Sequence, residues 1–279
     1  GSSEAIDLLV RTFCRAGTDG MLVSSPSFSM YRHYAEIQGV RVIEVAASAE
    51  CDFAIDVDDL LAACDATTRL MFICSPNNPT GTTLPRPDLE RLLCERGDRS
   101  AIVVDEAYVE FGGKASVIEL LDTYDNLLVL RTLSKALGLA GARCGGVAGP
   151  PPVIDLLDAV QAPYALATPV VECVENALQA DHIETAQANV AAVVAERERL
   201  ADALPGFGIV TRVWPSDANF LLVRCRDAST VMRRCAEQKV LLRHFGGALD
   251  DCIRISVGTR EENDRLLQAL ASIDGDVHG

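Results

Sequence analysis

The chain has 279 residues, with 25 lysines and arginines against 40 aspartates and glutamates, a formal charge of −15. At 49% hydrophobic and 23% charged residues it has a globular composition, which excludes disordered, collagenous and coiled-coil chains. The acidic balance excludes a nucleic-acid binder, which needs a basic face, and leaves any anionic substrate to be caught by local arginines against a repulsive overall field.

At ~100–200 residues per domain the length suits one large domain or two ordinary ones. No apolar run reaches the ~20 residues that span a bilayer, so no membrane partner is expected. The ten cysteines contain no C-x-x-C pair and read as reduced, buried thiols of a cytoplasmic protein rather than a disulfide framework or a zinc site. His33, His182, His244 and His278 are widely spaced, argue against a metal centre and are assigned no role. No signal-peptide pattern follows Gly1.

In chain order, residues 4–14 read as a helix with Ile6, Leu9, Val10 and Phe13 on one face. Short strands are expected at 21–23 and 40–45, a helix at 57–64, and a buried strand at 69–74. That strand is stopped by Ser75-Pro76-Asn77-Asn78-Pro79-Thr80-Gly81, a dense loop signal. A helix at 87–96 opens with proline in its first turn. Strands follow at 101–105, 126–131 and 144–148. Strands alternating with helices and apolar throughout indicate an α/β fold with a mostly parallel sheet flanked by helices. After Pro150-Pro151-Pro152 the texture changes. Helices are expected at 153–161, 169–179 and 183–204, then strands at 209–213 and 219–223, a helix at 228–238, a strand at 252–257 and a helix at 260–273. This reads as a large unit over 1–185 and a smaller C-terminal α+β unit over 186–279.

Ligands of parallel α/β sheets gather at the carboxyl ends of strands. Three such ends carry unusual polar residues: 75–81, Asp105-Glu106-Ala107-Tyr108, and Arg131-Thr132-Leu133-Ser134-Lys135. Asp105 and Lys135 are 30 residues apart, about one βαβ unit. A carboxylate there can keep a pyridinium nitrogen protonated, a phenol and an amide can bond a ring hydroxyl, and a lysine can form a Schiff base. Those are the protein groups that pyridoxal phosphate requires. Its phosphate suits the free amides of a helix opening at Gly1-Ser2-Ser3-Glu4, the hydroxyl of Ser134 and the planar fork of Arg143.

The segments GSSEAIDLLVRTFC, CSPNNPTG (74–81), VVDEAYVEF (103–111), RTLSKALGLAGARCG (131–145) and IRISVGTREEN (253–263) resemble the fold-type I pyridoxal-phosphate aminotransferases, and among them the histidinol-phosphate aminotransferase family. The resemblance runs from end to end. It implies the large fold-type I domain with a smaller C-terminal domain, and pyridoxal 5'-phosphate as cofactor. Lys135 would be the catalytic Schiff-base lysine that moves the proton between substrate and cofactor. Asp105 would pair with the ring nitrogen, Tyr108 and Asn78 with the ring oxygen, and Tyr31 would stack on the ring face. Ser134, Arg143 and the Ser2–Ser3 amides would hold the cofactor phosphate. Arg254 and Arg243 would hold the substrate's carboxylate or phosphate. The implied substrates are an amino-alcohol phosphate and a 2-oxo acid, in histidine biosynthesis, and the implied assembly is a homodimer. Family members continue upstream of the Gly1-Ser2-Ser3-Glu4 motif, with an Asn-Glu-aromatic stretch and a tyrosine that reaches the partner subunit; the sequence begins after that point.

Each residue also has an ordinary use. The Pro–Asn–Gly loop can be only a turn, Ser2, Ser3 and Glu4 an N-cap, and Asp105 and Glu106 charges offsetting a helix dipole. Lys135 and Arg243 can be solvated, Tyr31 a core aromatic, and Arg143 and Arg254 members of surface ion pairs. What outweighs these readings is their conjunction, in order, at strand ends. Rival functions on the fold are an aromatic aminotransferase, a phosphothreonine-type decarboxylase, or a non-catalytic module. A nicotinamide enzyme is disfavoured because no G-x-G-x-x-G follows a predicted first strand.

Overall fold

The computed structural model describes residues 1–278, with side chains to Gly275, so the side chain of His278 lies outside the described residues. Six strands form the first sheet: β1 (Gly20–Ser25), β2 (Arg41–Ala46), β3 (Thr68–Cys74), β4 (Ala101–Asp105), β5 (Leu127–Thr132) and β6 (Gly145–Ala148), in the order β2-β1-β3-β4-β5-β6. The first five are parallel and β6 runs antiparallel to β5. Successive side chains of β3 alternate between two cores. Leu70, Phe72 and Cys74 pack with Ile6, Leu9 and Val10 of α1 (Ser2–Phe13), while Met71 and Ile73 pack with Leu89, Leu92 and Leu93 of α4 (Arg86–Arg96). Burial on both faces is why the strand reads as an unbroken apolar run.

The remaining helices are α2 (Met30–Ile37), α3 (Val57–Ala63), α5 (Pro151–Val160), α6 (Thr168–Ala177), α7 (Ala180–Ala203), α8 (Ala228–Glu237) and α9 (Arg260–His278). The second sheet holds β7 (Val210–Val213), β8 (Phe220–Cys225), β9 (Arg243–His244) and β10 (Cys252–Ser256). It is antiparallel throughout, in the order β7-β8-β10-β9. Its apolar face packs on α8, α9 and the C-terminal part of α7 through Leu200, Val231, Leu266 and Leu270.

Two elements escaped the sequence. Helix α2 buries only Tyr31 and Ala35, one residue pair four apart, too thin an apolar stripe to read. Strand β9 is two residues long and exists through its pairing with β10. The cysteine expectation needs correction. All ten are free, but only Cys14, Cys74, Cys225, Cys235 and Cys252 are buried, whereas Cys51, Cys94 and Cys173 are exposed. Among the described residues no helix is long and apolar enough to cross a membrane, and no cluster of three or more His, Cys, Asp or Glu could hold a metal ion.

Candidate active site

The parallel strands β1, β3, β4 and β5 all end at one edge of the sheet. Asp105 is the last residue of β4 and only 4% exposed. Its Oδ2 accepts from the Tyr31 hydroxyl at 2.6 Å and its Oδ1 from the Ala107 amide at 3.1 Å. Burial pushes the Asp105 carboxyl above its usual range, against the two hydrogen bonds and the charge of Lys135.

Tyr31 corrects the expectation. Its ring is 1% exposed and stacks on Phe72, with centroids 4.7 Å apart and planes 13° apart. With the hydroxyl on Asp105 and the ring in the core, it has no face to offer a ligand. The aromatic that the sequence reading passed over is Phe28, between β1 and α2, half-buried and edge-on to Tyr31 at 5.6 Å. Its signal was its position directly beyond a strand's carboxyl end.

The loop 75–81 is a braced structure. Asn77 donates to Pro26 O and Thr80 Oγ1, both at 2.8 Å, and accepts from Ser27 Oγ at 2.7 Å, tying the ends of β1 and β3 together. Asn78 is buried, and its Oδ1 accepts from an Arg254 Nη at 2.6 Å, so that its amide's remaining hydrogen-bonding capacity is that of the NH2 donor. Gly81 sits at φ +79°, and a Cβ there would stand 2.8 Å from Ser216 Cα. Its carbonyl accepts from the Asp217 amide at 2.8 Å, and the Asp217 carboxylate accepts from Thr83 Oγ1 and Lys114 Nζ, both at 2.7 Å. The loop is therefore fastened to the second sheet.

Lys135 follows β5 and opens to the cleft, its Nζ 5.2 Å from the centroid of the Tyr108 ring. Tyr108 is buried, edge-on to Phe220 at 5.1 Å. Burial lowers the Lys135 pKa first, and Arg254 and Arg143 lower it further while Asp105 opposes them. A lysine so placed offers a neutral amine at lower pH than a free one. Reductive methylation of the apoprotein across pH, read by peptide mass spectrometry, is therefore expected to give Lys135 a midpoint below the ordinary ~10.4. Arg254→Ala raises that midpoint and Asp105→Asn lowers it. A midpoint at the ordinary value in all three proteins would remove these neighbours from the account.

At the other end of the cleft, Arg143 adopts a left-handed backbone, φ +53°, and donates to Ala140 O at 2.9 Å. Its guanidinium lies against the start of α1: a Cβ on Gly1 would be 3.0 Å from it. Gly145 of β6 admits this approach, since a Cβ there would sit 2.9 Å from the Ser2 amide nitrogen. Helix α1 has no side-chain capping bond, so its first amides, Ser2 and Ser3 included, are left to an anion. In the preceding loop the Thr132 hydroxyl donates to Ser134 Oγ at 3.0 Å, which keeps the Ser134 proton available to donate outward.

Arg254 lies on β10, over the Phe220 ring at 4.9 Å, and its buried Nε has no hydrogen-bond partner among the described residues. Arg243 is exposed beside Phe245, directly opposite Arg254 on the neighbouring antiparallel strand. Glu106 is used structurally, accepting from Ser116 Oγ at 2.5 Å, Val117 N at 2.8 Å and Arg131 at 3.2 Å.

These residues fit pyridoxal phosphate on three independent counts: a buried carboxylate short of a cation, a glycine-lined amide cradle with an arginine for a phosphate, and an amine of lowered pKa between them. The fold and the site thus define a pyridoxal-phosphate enzyme. The chain belongs to the aminotransferase class I and II family, whose profile matches residues 1–270. It is 43% identical over 276 residues to the histidinol-phosphate aminotransferase of Stenotrophomonas maltophilia, covering 98% of this chain and 76% of that protein. To the enzyme of the same name from Pectobacterium carotovorum it is 39% identical over 277 residues, covering 99% and 77%. The crystal structure of the Sinorhizobium meliloti histidinol-phosphate aminotransferase with pyridoxal-5'-phosphate superimposes with a TM-score of 0.88 at 25% identity, over 99% of this chain and 76% of that one.

Proposed function

We propose that the protein transfers the amino group of histidinol phosphate to 2-oxoglutarate, giving imidazole acetol phosphate and glutamate, a step of histidine biosynthesis. The observation that carries the choice of substrate is the register of the second sheet, which sets Arg243 opposite Arg254. Like charges facing across a strand pair repel. Burial lowers the affinity of the Arg254 guanidinium for its proton, Tyr108 opposes that, and Arg243 adds to it. A dianionic phosphate relieves that repulsion more fully than a single carboxylate does, and the unpartnered Arg254 Nε supplies a donor for it.

Pyridoxal phosphate, when bound, supplies an electron sink for the electrons of the substrate's Cα–H bond. The chain's own groups do the rest. Asp105 keeps a proton on the ring nitrogen, Asn78 and Tyr108 orient the ring oxygen, and Arg143, Ser134 and the Ser2–Ser3 amides anchor the phosphate. Lys135, as a neutral amine, would take the proton from the substrate's Cα and deliver it to the cofactor's C4′ carbon. Arg254 and Arg243 hold the substrate's far end.

The test compares histidinol phosphate with histidinol under saturating 2-oxoglutarate. Loss of the phosphate is expected to lower kcat/KM about 100-fold or more, as two charge-assisted contacts of ~1.5–3 kcal/mol each require. Equal turnover of both, preference for an aromatic amino acid, or release of CO2 from phosphothreonine would replace this reading with a rival.

The two-unit division, 1–185 and 186–279, is supported by the separate clusters around each sheet, one with Leu9 and Phe72 and another with Leu200 and Leu204, while Phe53 with Trp214 and Tyr108 with Phe220 pack across the boundary. A cytoplasmic homodimer suits a biosynthetic enzyme without a membrane-crossing helix among its described residues. The exposed apolar side chains Leu156 of α5, Tyr164 and Leu166 between α5 and α6, and Leu178 just beyond α6 favour a second copy as its partner.

A further inference from the structure

The geometry points to Tyr31 as a positioning residue that acts on the cofactor through Asp105: its hydroxyl fixes the carboxylate's orientation and keeps it ionised, and thereby keeps the ring nitrogen protonated. This rests on the reading that Asp105 meets that nitrogen.

A carboxylate as deeply buried as Asp105 loses most of its hydration, and desolvation alone favours the neutral acid. A neutral acid would have no charge to set against a pyridinium. Two donors replace the lost water. The Ala107 amide binds Oδ1 at 3.1 Å as part of the turn after β4, and any residue but proline there would supply it. The Tyr31 hydroxyl binds Oδ2 at 2.6 Å, and among the described residues it is the one side-chain donor on this carboxylate. The hydroxyl is itself immobilised. Phe72 stacks on the ring, Phe28 closes its edge, and Ala35, one turn on, anchors the same face of α2. The stack sets where the oxygen sits, and a donor with no freedom to turn away costs no further ordering when it binds a charge. Burial also holds the Tyr31 phenol well above its usual range, so it remains a donor over the whole working pH.

The other titratable or charged groups facing Asp105 are Cys74 at the end of β3, Glu106 and Tyr108 beyond β4, and Lys135 beyond β5. Cys74 is a buried thiol with its pKa raised, so it brings no charge. Glu106 is engaged by Ser116, Val117 and Arg131 and brings the wrong sign. Lys135 favours an ionised Asp105 only while it is protonated, and its lowered pKa limits that help. Tyr31 is the side-chain contribution that persists, beside the Ala107 amide, when Lys135 is neutral.

The test is Tyr31→Phe, which keeps the stack on Phe72 and removes only the oxygen. Pyridoxal phosphate affinity and the pH midpoint of the bound cofactor's visible absorbance are measured by titration. The same affinity is measured for an analogue with carbon in place of the ring nitrogen. We expect the variant to bind pyridoxal phosphate about tenfold more weakly, the low end for one hydrogen bond to a charged group. We expect it to bind the carbon analogue as the parent does, and its absorbance midpoint to move up, because a ring nitrogen without its proton leaves the nitrogen of Lys135 more basic. Weakening of both ligands alike, or an unmoved midpoint, would make Tyr31 a packing residue and overturn the proposal. Asp105→Asn, run in parallel, separates the two levels. If it discriminates between the ligands and Tyr31→Phe does not, the proposal alone fails. If neither variant discriminates, the assignment of Asp105 fails, and the proposal falls with it.

Discussion

Lys135→Ala is expected to reduce transamination by ~10⁴-fold or more while leaving the fold unchanged. Two functions go with one amine. As the group proposed to bond the cofactor it would provide the exchange partner for the incoming amino substrate, and as a positioned base it would move a proton, a role worth ~10²–10⁴-fold by itself. Its structural role is slight. The side chain opens to the cleft, and the contact recorded for it is the Tyr108 ring at 5.2 Å. Removing it should therefore change stability by no more than about 0.5 kcal/mol, as for other surface positions. Single-turnover kinetics with histidinol phosphate, alongside thermal denaturation, measure both. A variant retaining a tenth of the parent rate would place the essential amine elsewhere.

Arg254→Ala is expected to raise the KM for histidinol phosphate by ~10²–10³-fold, because it removes a partly desolvated fork that can grip an anion with two parallel bonds. It also releases the Asn78 carbonyl, so kcat should fall as well. Arg254→Lys keeps a charge without the fork and should recover only part of the loss. Arg243→Ala should cost about tenfold, since an exposed guanidinium is screened by water and salt. Without substrate, Arg254→Ala relieves the repulsion with Arg243 and Lys135 but leaves the buried Asn78 carbonyl without its donor, so the two effects oppose each other and the melting temperature should change little. A KM within threefold of the parent would show that the phosphate is held by other groups.

How legible these residues were depended on how local their roles are. The parallel sheet could be read because β3 and β4 are buried on both faces and show it as continuous Leu, Met, Phe, Ile and Val. The loop 75–81, Asp105 and Lys135 could be read because each follows its strand within a few residues, where strand ends place ligands. Tyr31 was misread for the opposite reason. Its partners Phe72 and Asp105 are 41 and 74 positions away, and nothing near residue 31 says which way the ring turns. The Asn78–Arg254 bond spans 176 positions and joins the two sheets, so no periodicity reports it. Strand β9 is too short for any pattern, although it is what sets Arg243 opposite Arg254.

The close seat of Gly81 on Ser216 governs how parts of this protein can be exchanged with those of a relative. A chimera that imports the second sheet with a bulkier residue at 216, or one without the Asp217 carboxylate, would push the Asn78 loop off its seat while every residue of that loop remained native. Recombination between relatives should therefore succeed when residues 76–83 and 214–219 travel as one block, and fail at the junction between them even though the two segments lie more than a hundred positions apart.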